Sequence, residues 1–140
     1  MKCKINRLVI GAALSPLVGY ADNDEECAKF DDLDPNNETA VRLMIREYFL
    51  PFYSRHYTPE DMLRIKEAFM YFLTTDNIDW VREFDSLLFP FDLPNEPRNF
   101  YLWLWDECFP NTDYRTANPD DYCVIEDYDD LHKNFRFRIN

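Results

Sequence analysis

The residues of this 140-residue chain whose types could do chemistry are four cysteines, at 3, 27, 108 and 123, two histidines, at 56 and 132, and a dense supply of carboxylates. A thiol beside an imidazole makes a nucleophilic pair. His56 and His132 nevertheless stand apart from any cysteine motif, and Ser54 and Ser86 have no flanking nucleophile signature. No cysteine or histidine pair has the spacing that zinc ligation uses, so neither a metal nor another cofactor is called for. Glycoside hydrolysis requires one carboxyl in an apolar pocket beside an ionised one. Glu107, inside the aromatic run Trp103 to Phe109, is the one acid in such a setting, and a solvent-facing helix position competes with that reading. Asp32, Asp34 and Asn36 fall at the first, third and fifth places of a calcium loop. Asn37 and Leu43 stand where the loop needs Gly and Glu, which rejects the motif.

Glycine narrows the chemistry further. The chain has two, Gly11 and Gly19, and none beyond. Phosphate-cradling loops, dinucleotide folds and the strained nucleophile turn all need a residue without a Cβ at fixed positions, so these classes are excluded. Backbone positions with positive φ must then fall to Asn and Asp.

What remains is a surface for contact. From Asp113 to Asp130 acids interleave with aromatics, and Asp113, Tyr114, Asp120, Asp121, Tyr122, Asp127, Tyr128 and Asp129 form a candidate partner-binding set. Tyrosine gives contact area at low entropic cost, and carboxylates steer a basic partner. The competing reading is a solvated loop whose tyrosines tuck onto the core.

The chain opens with Lys2, Lys4 and Arg7, then an apolar stretch from Leu8 to about Val18 and small residues at Gly19 and Ala21. That pattern predicts a cleavable export signal over 1–21, and a single acidic domain over 22–140 whose first part, 22–37, is a solvated lead-in. A membrane anchor and a buried first helix are the alternatives; the stretch is short for a span and broken by Pro16. After cleavage 12 Lys and Arg face 27 Asp and Glu, a formal charge of −15 on 119 residues. Such a chain repels nucleic acid and anionic lipid, keeps no membrane anchor, and attracts cationic partners. A periplasmic or secreted location favours disulfides. The expected bridge is Cys108 with Cys123, contributing about 3 kcal/mol in the chain-entropy model; a bridge to Cys27 is equally allowed by count.

The elements that must position these residues read as helices. Apolar residues recur at helical spacing over Glu38 to about Leu50, where Pro51 ends or kinks the run. Thr58-Pro59-Glu60-Asp61 carries cap, proline and acids in helix-starting order, predicting a helix to about Leu73. A third helix is expected from Asp76 or Asn77 to about Phe89, and Pro97 tips the run Phe100 to Phe109 to helix over strand. Cys123 to Ile125 and Phe135 to Ile139 read as extended and could pair as a hairpin. The fold class expected is a mainly α bundle of three to four helices with a possible C-terminal β-hairpin, its core Met62, Ile65, Phe69, Phe72, Trp80, Phe84 and Leu88.

Together these features point to an exported acidic binding protein, of the inhibitor or immunity type, that neutralises a basic toxin or enzyme by protein contact. A cell-envelope carbohydrate-binding or carbohydrate-active protein, with Trp103 and Trp105 as a sugar platform, is the alternative. A secreted host-directed effector is a third reading.

Overall fold

Thr58 starts the longest helix as its chemistry requires. Its hydroxyl accepts from the Asp61 N–H at 3.1 Å while the Asp61 carboxylate accepts from the Thr58 N–H at 3.0 Å, a reciprocal capping box that accounts for the burial of Asp61. The computed structural model describes residues 3–17, 24–87, 89–115 and 118–135, and this helix, α5 (Pro59–Thr75), runs through its centre. Ile65, Phe69, Phe72 and Leu73 are buried along it. It stops where Asp76 takes a left-handed φ of 54°. Asn111, after α7 (Pro97–Cys108), does the same at 60°, so these two acidic or amide residues fill positions often left to glycine.

The other helices and strands are, in chain order, β1 (Cys3–Asn6), α1 (Val9–Ala13), α2 (Asp24–Ala28), α3 (Glu38–Met44), α4 (Leu50–His56), α6 (Trp80–Asp85), α7, β2 (Tyr122–Ile125) and α8 (Tyr128–Asn134). Helix α3 does not end at Pro51. It passes through one π-helical turn, Ile45–Phe49, into α4, with the Leu50 N–H reaching the Ile45 carbonyl. A proline has no N–H for the α-helical ladder and its ring crowds the preceding turn. The wider π turn just ahead of Pro51 absorbs that misfit and lets the helix continue to His56.

Helix α6 is shorter than its apolar period suggests, running Trp80–Asp85 behind an Asp79 cap. Phe89 and Phe91 instead pack back as a loop, Phe89 on Phe84 at 4.4 Å between ring centres and Phe91 on Phe100 at 6.1 Å. Of the expected core, Ile65, Phe69, Phe72, Trp80 and Phe84 are buried and Met62 is half-buried; Leu88 lies outside the described residues. Within the acidic lead-in Phe30 is buried between Tyr48 and Phe91, while the acids Asp24, Glu25, Asp31, Asp32 and Asp34 around it are exposed.

The expected C-terminal hairpin is not formed. β2 pairs in parallel with β1, in the register Cys3 to Tyr122 and Asn6 to Ile125, making a two-stranded sheet. Helix α8 follows β2 directly and occupies the stretch a hairpin turn would need, while residues 136–140 of the proposed second strand lie outside the described residues.

The first segment contributes to the core of the whole chain. Ile5, Val9, Ile10, Ala13, Leu14 and Leu17 are buried, and the hydroxyls of Tyr53 and Tyr57 donate to the carbonyls of Ala13 and Ala12. Enclosure of Tyr53 away from water pushes its pKa well above the ordinary tyrosine value. No helix among the described residues is long and apolar enough to cross a membrane.

Candidate functional site

Asn6 is the polar residue on which the site is built. It is 6% exposed at the end of β1, a position that would be costly if its amide were unpaired. Its Nδ2 donates to the Asp127 carbonyl at 2.8 Å and to the Asp130 carboxylate at 3.1 Å, and its Oδ1 accepts from the N–H groups of Leu8 and Asp127. Asp127 in turn caps α8, its Oδ1 accepting from the Asp129 and Asp130 N–H groups at 3.0 and 3.2 Å. A buried amide at the chain's start thus fixes where α8 begins, and with it Tyr128.

Tyr128 is 66% exposed, the most exposed large hydrophobic side chain among the described residues. It lines a groove of about 470 Å³ whose other walls are Leu8, Gly11 and Ala12 of the first segment, Leu87 after α6, and Leu131 of α8. That volume lies within the ordinary range for ligand and anchor pockets. Gly11 matters here through what it leaves empty: a Cβ added at this position meets no atom within 4 Å. Arg7 also lines the groove. Its guanidinium pairs with Glu83 and, at 2.6 Å, with Glu126, and the bond from Arg7 holds the Glu126 carboxyl below its usual pKa. Beside the groove Asp127 and Asp129 are exposed and form no ion pair among the described residues.

The Tyr and acid set expected from sequence is divided by the fold. Tyr128 lines the groove, and its chain neighbours Asp127 and Asp129 are exposed. Asp120 and Asp121 are also exposed, in the 3₁₀ turn Pro119–Asp121 ahead of β2. Tyr114 and Tyr122 are half-buried. Tyr114 is held between the guanidinium groups of Arg98 and Arg115, at 5.4 and 5.2 Å from its ring centre, and Tyr122 packs on Tyr71 at 5.9 Å. Asp113 is exposed but paired with Arg115, whose backbone N–H, more than its charge, lowers the Asp113 pKa.

The other candidates serve structure. Glu107 is clamped by Arg42 and Arg46, each at 2.7 Å, which ties α7 to α3 and to the π turn; the Arg46 bonds chiefly, then those from Arg42, lower its pKa, so it is an ionised anchor and not a proton donor. Trp103 and Trp105 are buried, and the Trp105 indole donates to the Thr112 carbonyl at 2.8 Å, so neither ring presents a sugar platform. Asn36 uses its side-chain oxygen on the Asn95 N–H, and among the described residues no cluster of His, Cys, Asp and Glu could hold a metal ion.

All four cysteines are free thiols. Cys108 ends α7, where burial first and then the neighbouring Glu107 charge push its pKa up to about 12. Cys123 lies in β2 opposite Lys4, and so on the face of the sheet opposite to Cys3.

Sequence reasoning missed the groove because half its wall comes from residues 7–15, read as a removable leader. A small residue in an apolar helix, Gly11, was the available signal. No family model matches the chain, and comparison with curated proteins and with solved structures finds no similar sequence or fold.

Proposed function

We propose that the chain is a binding protein, of the inhibitor or immunity type, that docks a basic protein partner on the rim and groove around Tyr128. The observation that carries this reading is the exposed Tyr128 ring between two exposed acids, Asp127 and Asp129, beside a groove of about 470 Å³. Binding energy at protein interfaces concentrates in a few aromatic anchors and the pockets near them. Acids at the rim act on the rate of encounter, and the formal charge of −12 on the whole chain extends that attraction.

The surface so described belongs to the chain with its first segment in place, since Arg7, Leu8, Gly11 and Ala12 line the groove and Asn6 holds α8. Export by cleavage after Ala21 and this docking surface therefore exclude each other, and the mass of the native chain separates them.

Affinity capture with the full chain as bait, in parallel with Tyr128→Ala, tests the reading. A cationic protein that is retained by the wild-type bait, released by salt and lost from Tyr128→Ala supports it. Retention of the same proteins by both baits contradicts it.

A further inference from the structure

In a two-stranded sheet each strand has one side outside the ladder, and among the described residues β2 pairs with β1 and with no other strand on that side. The register together with the bond from the Arg7 N–H to the Ile125 carbonyl, 2.9 Å, fixes which backbone groups face which way. In a parallel pair alternate residues direct both their N–H and C=O to the neighbouring strand. Ile125 and Cys123 therefore turn to β1, and Val124 between them turns its N–H and C=O outward. The Val124 side chain is itself exposed. An outward row of backbone donors and acceptors is a template for another strand.

Charge says which kind of strand. The exposed acids Asp120 and Asp121 immediately precede β2, and the exposed acids Glu126 and Asp127 immediately follow it. Of these, only Glu126 is in an ion pair among the described residues. Acids at both ends and an apolar centre match an extended segment with Lys or Arg at each end and β-branched residues between. An acidic segment meets like charge at both ends, which is destabilising.

We propose that β2 accepts a further strand from such an extended basic segment, with main-chain bonds to Val124 supplying the affinity and the flanking acids the selectivity. This inference rests on the reading of a basic partner and names how part of that partner engages.

The probe is a capped synthetic peptide, Lys-Lys-Val-Thr-Val-Thr-Lys-Lys, titrated into the full chain by calorimetry at low and physiological salt. A control peptide of the same sequence and charge carries N-methyl groups on alternate amides of its central four residues, in both registers, and leaves the protein untouched. Val124→Pro removes the outward N–H at a position where an edge strand tolerates proline, and circular dichroism establishes that it is folded. The expected result is binding of the unmodified peptide and a loss of about tenfold or more with one methylated register and with Val124→Pro, the equivalent of one main-chain bond lost. Equal binding of the unmodified and both methylated peptides overturns the proposal, because charge alone then explains the contact, and so does failure of the unmodified peptide to bind. Tyr128→Ala separates this from the docking reading. If that variant loses the captured partner while the methylated peptides bind unchanged, strand addition falls and the Tyr128 surface stands; if the peptide results hold and Tyr128→Ala keeps the partner, the reverse is true.

Discussion

Asn6 and Asp127, 121 residues apart, hold each other by two bonds: the Asn6 amide donates to the Asp127 carbonyl at 2.8 Å, and the Asn6 carbonyl oxygen accepts from the Asp127 N–H at 3.4 Å. One side chain of the first segment thereby determines where the last described helix starts and where Tyr128 stands.

Replacing Asn6 by Ala removes that link and leaves the backbone groups of Asp127 without their partner. The expected cost is about 0.5–1.5 kcal/mol, the net contribution of a typical hydrogen bond, read as a lower midpoint in chemical denaturation with an unchanged slope. Asn6→Ala with wild-type stability would mean that α8 is held in place by other contacts.

A chain that begins at Asp22 lacks β1 and α1, and with them Ile5, Val9, Ile10, Ala13, Leu14 and Leu17 of the core. Each fully buried aliphatic side chain contributes on the order of 1.5–3 kcal/mol, and a whole domain has only about 5–15 kcal/mol in hand. The shortened chain is expected to show no cooperative thermal transition, and the folded native protein to have a mass that includes residues 3–17. A cooperative melt from the shortened chain, or a native mass starting near Asp22, contradicts this packing.

Acid should loosen the attachment of α7 to α3. Bonds from Arg46 and Arg42 hold the Glu107 carboxyl below its ordinary value in the folded chain. The stabilisation from this group is therefore complete above the unfolded carboxyl pKa and is lost as pH falls through that value toward the folded one. Glu107→Gln is expected to be less stable than wild type at neutral pH and to lose less on acidification below about pH 5. Parallel slopes of stability against pH for the two proteins would show that Glu107 titrates normally.

Thiol labelling reads the cysteine environments. With its pKa pushed up to about 12 by burial, Cys108 should react far more slowly than the exposed Cys3 at pH 8 and reach full reactivity only on unfolding. Peptide mapping of the alkylated protein measures both. Equal native rates, or a Cys108 that never labels because it is bridged to Cys123, would contradict the free and buried thiol.

Local signals at Thr58, Asp61 and Pro97 act within a few residues, which is why the starts of α5 and α7 were legible in the sequence. Burial of Ile65, Phe69 and Phe72 follows from helical period alone. The register of β1 on β2 could not be read that way: each strand is four residues long, the two are 119 positions apart, and what aligns them is a parallel ladder with no turn between. The stretch from Leu8 to Leu17 has the composition of an export signal and of a core helix alike, and its contacts with Tyr53 and Tyr57 in the full chain are made by residues too distant in sequence for local pattern to reveal. The division of the Tyr and acid set had the same cause. Tyr114 meets Arg98 and Tyr122 meets Tyr71, partners that are distant in sequence, whereas Tyr128 meets a groove.

The most direct test of the account is the dissociation rate of the captured cationic partner from the full chain and from Tyr128→Ala, measured by surface plasmon resonance across a salt series. Aromatic anchors act mainly on dissociation, and rim acids on association. Tyr128→Ala is expected to release the partner roughly thirtyfold faster, the equivalent of about 2 kcal/mol for a hot-spot ring, with its association rate and salt dependence unchanged. Joint replacement of Asp127 and Asp129 by Asn in one folded variant should slow association and flatten its salt dependence. Dissociation from Tyr128→Ala at the wild-type rate, with that variant folded, would contradict the assignment of the Tyr128 groove as the docking surface.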